Sequence, residues 1–331
     1  MSLHQLSLHK EEWPLRKPFR ITGHEWVDLD AIVVELTDGT HIGRGEASGV
    51  YYLDENTNSM VQQIQDHWND IENCPDGDSL REILPPGGAR NAVDCALWDL
   101  TARRQGTNIW QLAQVEPGPV QTVMTIPIRE TPEEMGEEAG QLSDFRNLKI
   151  KLDHQQPVER IAAIRAARPD ANIVIDANQG FTLELLREVL PHFERLEVSM
   201  VEQPLPRGGD DGLEGFQSPV PLCADESCLH LGELDQAARR YQMINIKLDK
   251  CGGLTEGLMI ARRAQEMGLG LMVGNMIGTS LAMMPGMVIA RLCSFVDLDG
   301  PLHLKCDRAG GLTFNRGEIS TPAVALWGAA G

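Results

Sequence analysis

No stretch of this sequence approaches the roughly 18 consecutive apolar residues that a membrane-spanning helix needs, and its polar start carries no signal-peptide pattern. A cytoplasmic protein with no membrane contact is therefore expected. Cysteine gives no framework either: the seven residues are scattered, odd in number and never spaced C-x-x-C, so neither a zinc site nor a set of disulfides is indicated. Positive charge is in short supply. With 29 Lys and Arg against 48 Asp and Glu, the net charge of −19 argues against nucleic acid as a partner. No G-x-G-x-x-G or Walker pattern follows an early strand, which removes support for a nucleotide-binding open sheet.

What is present is a chain of 331 residues, 42% apolar and 23% charged, enough for two domains or one large barrel with an addition. Residues 31–36, Ala-Ile-Val-Val-Glu-Leu, read as a strand. A turn at Thr37-Asp38-Gly39-Thr40 and an extended stretch from His41 make a hairpin. Helical patterns follow over 60–73 and 89–104, the second with Ala89, Val93, Ala96, Leu97 and Leu100 on one face. These predict an α+β domain over residues 1–118.

From residue 121 short apolar runs alternate with amphipathic helices: 121–126, 147–152, 172–176, 198–202, 221–224, 243–248, 269–273 and 294–298. The repeat is that of consecutive βα units and predicts an α/β fold, a modified TIM barrel of (β/α)7β type over residues 119–305. A doubly wound sheet is the other topology that the alternation permits. Residues 306–331 hold no further βα unit and are expected to return to the first domain.

In such barrels chemistry sits at the C-terminal ends of the strands. Three successive strands end in a carboxylate, Asp176, Glu202 and Asp225. Singly each reads as a helix cap; converging, they would repel unless they held a cation, and hard oxygen donors suit Mg²⁺. The preceding strand carries Lys149 and Lys151 on one face, because strand side chains alternate. Lys247 ends the strand after Asp225. Strands two and six lie on opposite sides of a barrel mouth, so Lys151 and Lys247 would face each other across the cation. A base on each face suits removal of an α-proton from one side and its return on the other, through an enediolate, which is racemisation or epimerisation. Lys149 would lower the pKa of Lys151 by like-charge repulsion. Lys250 reads as a solvated loop lysine.

Lys149-x-Lys151, Asp176-Ala-Asn-Gln-Gly, Val201-Glu202-Gln-Pro, Ala224-Asp225-Glu226-Ser and Asn245-Ile-Lys247, in this order, resemble the muconate-lactonizing-enzyme subgroup of the enolase superfamily. Lys17-Pro18-Phe19, Gly45-Glu46-Ala47 and the stretch from Ala92 to Asp99 are similar to that subgroup's capping domain. The resemblance implies one Mg²⁺ held by Asp176, Glu202 and Asp225, with Lys151 and Lys247 as acid/base catalysts. Within the subgroup, Asp297-Leu298-Asp299 is similar to dipeptide epimerases, where such a pair holds the free amino terminus of the dipeptide. Alternation along a strand would bring both acids to the mouth.

That resemblance implies a dipeptide epimerase acting at the Cα of the C-terminal residue, with a small-molecule partner. N-acylamino acid racemase and o-succinylbenzoate synthase or cycloisomerase are the alternatives. A non-enzymatic barrel would have no use for the three carboxylates and two lysines. Two departures concern specificity. Enzymes acting on Ala-Glu carry an arginine where His24 stands, and Met-x-Glu-Thr where this chain has Met276-Ile-Gly278-Thr. His24, Met276 and Gly278 therefore join the expected substrate-binding residues, and the loop Tyr51-Tyr52-Leu53-Asp54-Glu55 offers groups suited to apolar or cationic side chains. Barrels of this kind commonly self-associate, so a homo-oligomer is expected.

Overall fold

Residues 31–36 form an almost unbroken apolar run because the strand that contains them is buried on both faces. Ile32, Val34 and Leu36 belong to one core, with Met60, Ile64, Leu80 and Leu100, whereas Val33 belongs to the core of the barrel. The computed structural model describes residues 3–21, 24–320 and 326–328, with the side chains of Arg20, Ile21 and His24 outside that description. Strand β1 (Gln5–Ile21) pairs antiparallel with β2 (His24–Thr37), and β2 with β3 (Ile42–Ala47). The sequence reading found only the second half of β2 and β3. β1 escaped it because Lys10, Glu11 and Glu12, followed by Pro14 and Pro18, break the apolar alternation, and the register shifts between Pro14 and Phe19.

The helix predicted over 60–73 is two helices, Thr57–Asp66 and Trp68–Glu72, and that over 89–104 spans Gly88–Gln105. The last lies directly on β3. A Cβ at Gly45 would stand 2.0 Å from the Ala92 carbonyl oxygen, and one at Gly43 2.2 Å from that of Ala96. Glycine there sets how closely strand and helix approach.

After a short strand β4 (Val120–Gln121), eight parallel strands follow in sequence order: β5 (Val123–Ile126), β6 (Asn147–Lys151), β7 (Asn172–Asp176), β8 (Val198–Glu202), β9 (Leu222–Ala224), β10 (Met243–Ile246), β11 (Gly270–Val273) and β12 (Phe295–Val296). The seam between β12 and β5 is closed by side chains. Thr122 Oγ1 accepts from Leu298 N at 3.1 Å, and Asp299 Oδ2 accepts from Thr125 N at 3.1 Å. Helices Pro132–Gln141, Pro157–Ala167, Leu183–Arg195, Leu254–Glu266 and Ser280–Ala290 cover the outside. The crossover from β8 to β9 carries only the short turn of helix Asp211–Leu213. Between β9 and β10 the helical turns are short, Leu231–Glu233 and Leu234–Ala237.

Alternation along the strands builds the interior in layers. Val123, Val174, Met200, Cys223, Met243 and Met272 form an apolar plug. Two residues further along β7, β8 and β9 come Asp176, Glu202 and Asp225, on the same inward face.

Buried carboxylates bind the α+β unit to the barrel. Glu46 accepts from Thr279 N at 2.8 Å and from Arg308 Nη2 at 2.9 Å. Asp94 accepts from Thr255 N and Oγ1 at 2.9 and 2.6 Å. Asp249 accepts from Ser48 N and Gly49 N, both at 3.2 Å. The chain beyond the barrel divides its contacts. Lys305 N donates to Pro14 O and Trp327 Nε1 to Cys95 O, both in the α+β unit, while β13 (Thr313–Asn315) and β14 (Glu318–Ser320) extend β4.

Gly45→Ala should cost about 3 kcal/mol in urea unfolding, the upper end for an overpacked site, since the obstacle is backbone. Gly140→Ala, in a helix with open space around it, should gain about 0.5–1 kcal/mol. Burial pushes Asp249 up to about 7 and Asp94 up to about 6, so the folded protein binds protons that the unfolded chain releases at lower pH. Stability contributed by these groups therefore falls as pH rises from about 4 to about 7, and Asp249→Asn should flatten that fall in a denaturation series across the range.

Candidate active site

A cavity of about 500 Å³ lies between the α+β unit and the C-terminal ends of the barrel strands. Lys151 and Lys247 line it from opposite sides, since β6 and β10 stand four places apart in an eight-strand order. Asp176, Glu202 and Asp225 do not line it; fully buried, they pair with the lining residues Lys149, Lys151 and Lys247 and form the floor of the site behind them.

Each of the three carboxylates has one oxygen anchored by the scaffold and the other turned toward a lysine. Asp176 Oδ1 accepts from Asn178 N at 3.0 Å, while Oδ2 receives Lys151 Nζ at 2.6 Å and lies 3.0 Å from Lys149 Nζ. Glu202 Oε1 accepts from Asn245 Nδ2 at 2.7 Å, and Oε2 stands 2.8 Å from Lys149 Nζ without hydrogen-bond geometry. Asp225 Oδ1 accepts from Lys250 Nζ at 2.6 Å and Oδ2 from Lys247 Nζ at 2.7 Å. Local structure arranges these anchors. Asn178 sits in the left-handed region, φ 41°, which asparagine tolerates, and its Oδ1 accepts from Lys151 Nζ at 3.0 Å. Gln203 Oε1 accepts from Asp225 N and Ser227 N, fixing the loop that carries the third acid.

Lys250 is a correction to the sequence reading. It is buried, and it donates to Asp225 Oδ1, Asp225 O, Cys228 O and Asn245 O, because the helix Leu248–Cys251 turns it back under β9. Lys149 is likewise enclosed, 2.8 Å from Asp297 Oδ2 as well as beside Asp176 and Glu202. Burial disfavours its charge, but these three carboxylates prevail and hold it protonated well above the usual lysine range. Lys149 is first a counter-ion.

Four acids, Asp176, Glu202, Asp225 and Glu226, here meet four lysines, Lys149, Lys151, Lys247 and Lys250. Burial and the neighbouring Asp176 push Glu202 up to about 7, and burial and Asp225 push Glu226 up to about 8. Asp176 and Asp225 lie below the ordinary carboxylate range: burial opposes this, but Lys149 and Lys151 on one, and Lys247 and Lys250 on the other, outweigh it. Among the described residues no three acidic, histidine or cysteine side chains are drawn to one point as around a bound ion. The donor set nevertheless fits a hard divalent cation. Three neighbouring strand ends each supply one carboxylate oxygen not held by the scaffold, and Glu202 Oε2 and Glu226 Oε2 are buried without a hydrogen-bond partner.

Asp297 and Asp299 both line the cavity, though not by strand alternation. β12 ends at Val296, and Asp299 has a helical backbone, φ −83° and ψ 0°, at the start of helix Gly300–His303. Met276 lines the cavity as well. Gly278 does not: a side chain there would stand 2.8 Å from Ala282 Cβ and 2.9 Å from the Met283 methyl, behind the lining. His24 begins β2, and its side chain lies outside the described residues. Of the loop 51–55, Glu55 is committed to the backbone, accepting from Val50 N and Gly88 N, both at 2.9 Å. Tyr51 stacks edge-on between Trp26 and Tyr52, at 4.9 and 5.1 Å between centroids.

The sequence reading missed Glu226 and His303 as lining residues. Glu226 directly follows a strand-end acid, and His303 stands one helical turn after Asp299; each spacing was a usable signal.

Residues 4–113 match the mandelate racemase/muconate lactonizing enzyme N-terminal domain, and residues 129–323 match the domain described as enolase C-terminal domain-like. The L-Ala-D/L-Glu epimerase of Escherichia coli strain K12 is 40% identical over 317 residues, covering 95% of this chain and 98% of that protein. An N-acetyl-D-glutamate racemase of a Pseudoalteromonas species is 38% identical over 301 residues, covering 90% and 95%. Among solved structures, the dipeptide epimerase from Methylococcus capsulatus complexed with Mg and L-Arg-D-Lys superimposes with a TM-score of 0.89 at 28% identity, covering 97% and 98%. With both domains matched and the barrel and its cap in place, this chain belongs to the mandelate racemase/muconate lactonizing enzyme family of the enolase superfamily.

Proposed function

We infer that the chain is a Mg²⁺-dependent dipeptide epimerase that inverts the Cα of the C-terminal residue of an L,L-dipeptide. The observation that carries this reading is the opposition of Lys151 and Lys247 across one cavity whose rim holds the buried pair Asp297 and Asp299. A Mg²⁺ ion held by Asp176, Glu202 and Asp225 would neutralise the substrate carboxylate and the charge that develops on it as the α-proton leaves. Relatives named as epimerases support the reading, as does the relative crystallised with Mg and a dipeptide.

The residues then divide the work. Lys151 takes or returns the proton on one face of Cα and Lys247 on the other. Each ammonium is steered by the carboxylate beside it, Asp176 or Asp225, and each needs release from that partner to act as a base. Lys149 stays protonated and screens the floor. The acid pair receives the free amino group of the dipeptide through charge-assisted hydrogen bonds. The plug beneath and the cap above keep water from the reacting carbon.

A second reading, racemisation of an N-acylated amino acid, is favoured by the N-acetyl-D-glutamate racemase relative. Such a substrate brings no ammonium to the acid pair. Mass-spectrometric deuterium uptake in D₂O, with a panel of L,L-dipeptides beside N-acetyl and N-succinyl amino acids, separates the two. A free amino group should favour turnover about tenfold to a hundredfold over its acetylated counterpart, from one lost hydrogen bond to a charged group. Exchange with the acylated amino acids alone would transfer the assignment to the racemase.

Lys151→Met and Lys247→Met should each lower net epimerisation by about 10²–10⁴-fold, while each variant keeps deuterium exchange of the one epimer that faces its remaining lysine. Two variants that both epimerise at the parent rate would refute the two-base assignment. EDTA should abolish exchange, and added Mg²⁺ should restore it.

A further inference from the structure

His303 lines the active-site cavity beside the acid pair, and nothing in the mechanism above uses it. It ends the short helix that Asp299 begins, and its Nε2 stands 3.3 Å from Asp299 Oδ2. That nitrogen is buried and, among the described residues, faces no polar partner other than this acid. The imidazole is wedged edge-on against Phe19 of β1, 4.9 Å between ring centroids. A side chain held in this way is fixed by the scaffold and keeps a polar atom available at the wall of a binding site.

The two acids beside it are not equivalent. Asp297 accepts from Lys149 Nζ at 2.8 Å, an ammonium that it shares with Asp176 and Glu202. Asp299 faces no lysine at such a distance: Oδ2 accepts from Thr125 N at 3.1 Å, the Thr125 side chain also hydrogen-bonds the acid, and His303 stands beside it. How much negative charge the pair offers to an incoming ammonium therefore depends on whether the imidazole is protonated. Charged groups around the ring come from three other elements: Asp297 beyond β12, Lys149 of β6 through Asp297, and Arg16 of β1, which disfavours the imidazolium. Asp28 and Asp30 of β2 line the same cavity.

We propose that His303 is a positioning residue that gates recognition of the substrate ammonium: protonated, it neutralises Asp299, and neutral, it frees Asp299 to bind the amino terminus. The proposal rests on the dipeptide reading. Burial works against the imidazolium, but Asp299 overcomes it and raises the His303 pKa above the ordinary histidine value. A dipeptide loses its own amino proton at about pH 7.7–8.0, so the gate acts on the ammonium form below that range. Affinity for the dipeptide rises with pH until that second proton is lost. Because linkage is reciprocal, a bound dipeptide must lower the His303 pKa in return.

The test is the pH profile of KM, measured with Mg²⁺ present on the best dipeptide of the panel. Between about pH 6 and about pH 7.5, KM should fall at least about fivefold in the parent protein, the lower end for coupled sites, with a smaller change in kcat. His303→Gln, and His303→Phe, which keeps a ring on Phe19, should both flatten that slope to less than about twofold. The His303 ring resonances should show a lower pKa with dipeptide than without, and no change with its N-acetylated form. Turnover with the parent slope intact in both variants, or a flat parent profile, overturns the gating role and leaves the epimerase reading standing. Absence of turnover with any dipeptide overturns both.

Discussion

The constraint on which the site depends is the burial of three carboxylates on adjacent strands of one barrel. Asp176, Glu202 and Asp225 have no access to water, so their mutual repulsion must be met from within the protein. The chain meets it by fixing one oxygen of each acid to the scaffold, through Asn178 N, Asn245 or Lys250, and turning the other toward an ammonium that borders the cavity. The lysines proposed to move protons are thus held at their posts by the same acids that suit a divalent cation. A cation that joined those acids would loosen the lysines as it did so, and charge balance would then link the proposed metal site to the proposed bases without any movement of the backbone.

Cap and barrel contribute different parts of the cavity, and their junction is polar as well as packed. Glu46, Asp94 and Asp249 cross it as buried acceptors, and Asp249 takes two backbone N–H groups, of Ser48 and Gly49, at the foot of the loop that carries Tyr51 and Tyr52. These bonds fix where that loop begins, and therefore where the aromatic wall formed by Trp26, Tyr51 and Tyr52 stands over the lysines. The proposed ammonium site has a similar double attachment. Asp299 both faces the cavity and closes the barrel seam by accepting from Thr125.

Most of the site was legible because it obeys the period of a strand. Lys149 and Lys151, and the acids that end β7, β8 and β9, follow from alternation and register alone, and the barrel follows from the repeat that carries them. The residues that escaped obey no such period. Lys250 reads as solvated because its burial depends on a one-turn helix folding beneath a neighbouring strand. His303 acquires meaning only once Phe19, nearly three hundred residues earlier, lies against it. Asp297 and Asp299 were correctly placed together for the wrong reason, since a helical turn and not a strand brings the second acid round. Gly278 was drawn into the site by its neighbours in sequence, although its α-carbon faces Ala282 and Met283. β1 was hidden by charge and proline on a strand whose partner supplies the apolar face.

The plug of Val123, Val174, Met200, Cys223, Met243 and Met272 makes the barrel a vessel with one opening. Substrate, product and solvent protons must all pass through the mouth beneath the cap. On the proposed mechanism, a proton taken from Cα and held on a lysine would be sheltered from bulk water by the α+β unit above. How far the hydrogen returned to the product remembers its origin would then measure how fast this single-mouthed cavity exchanges protons with solvent.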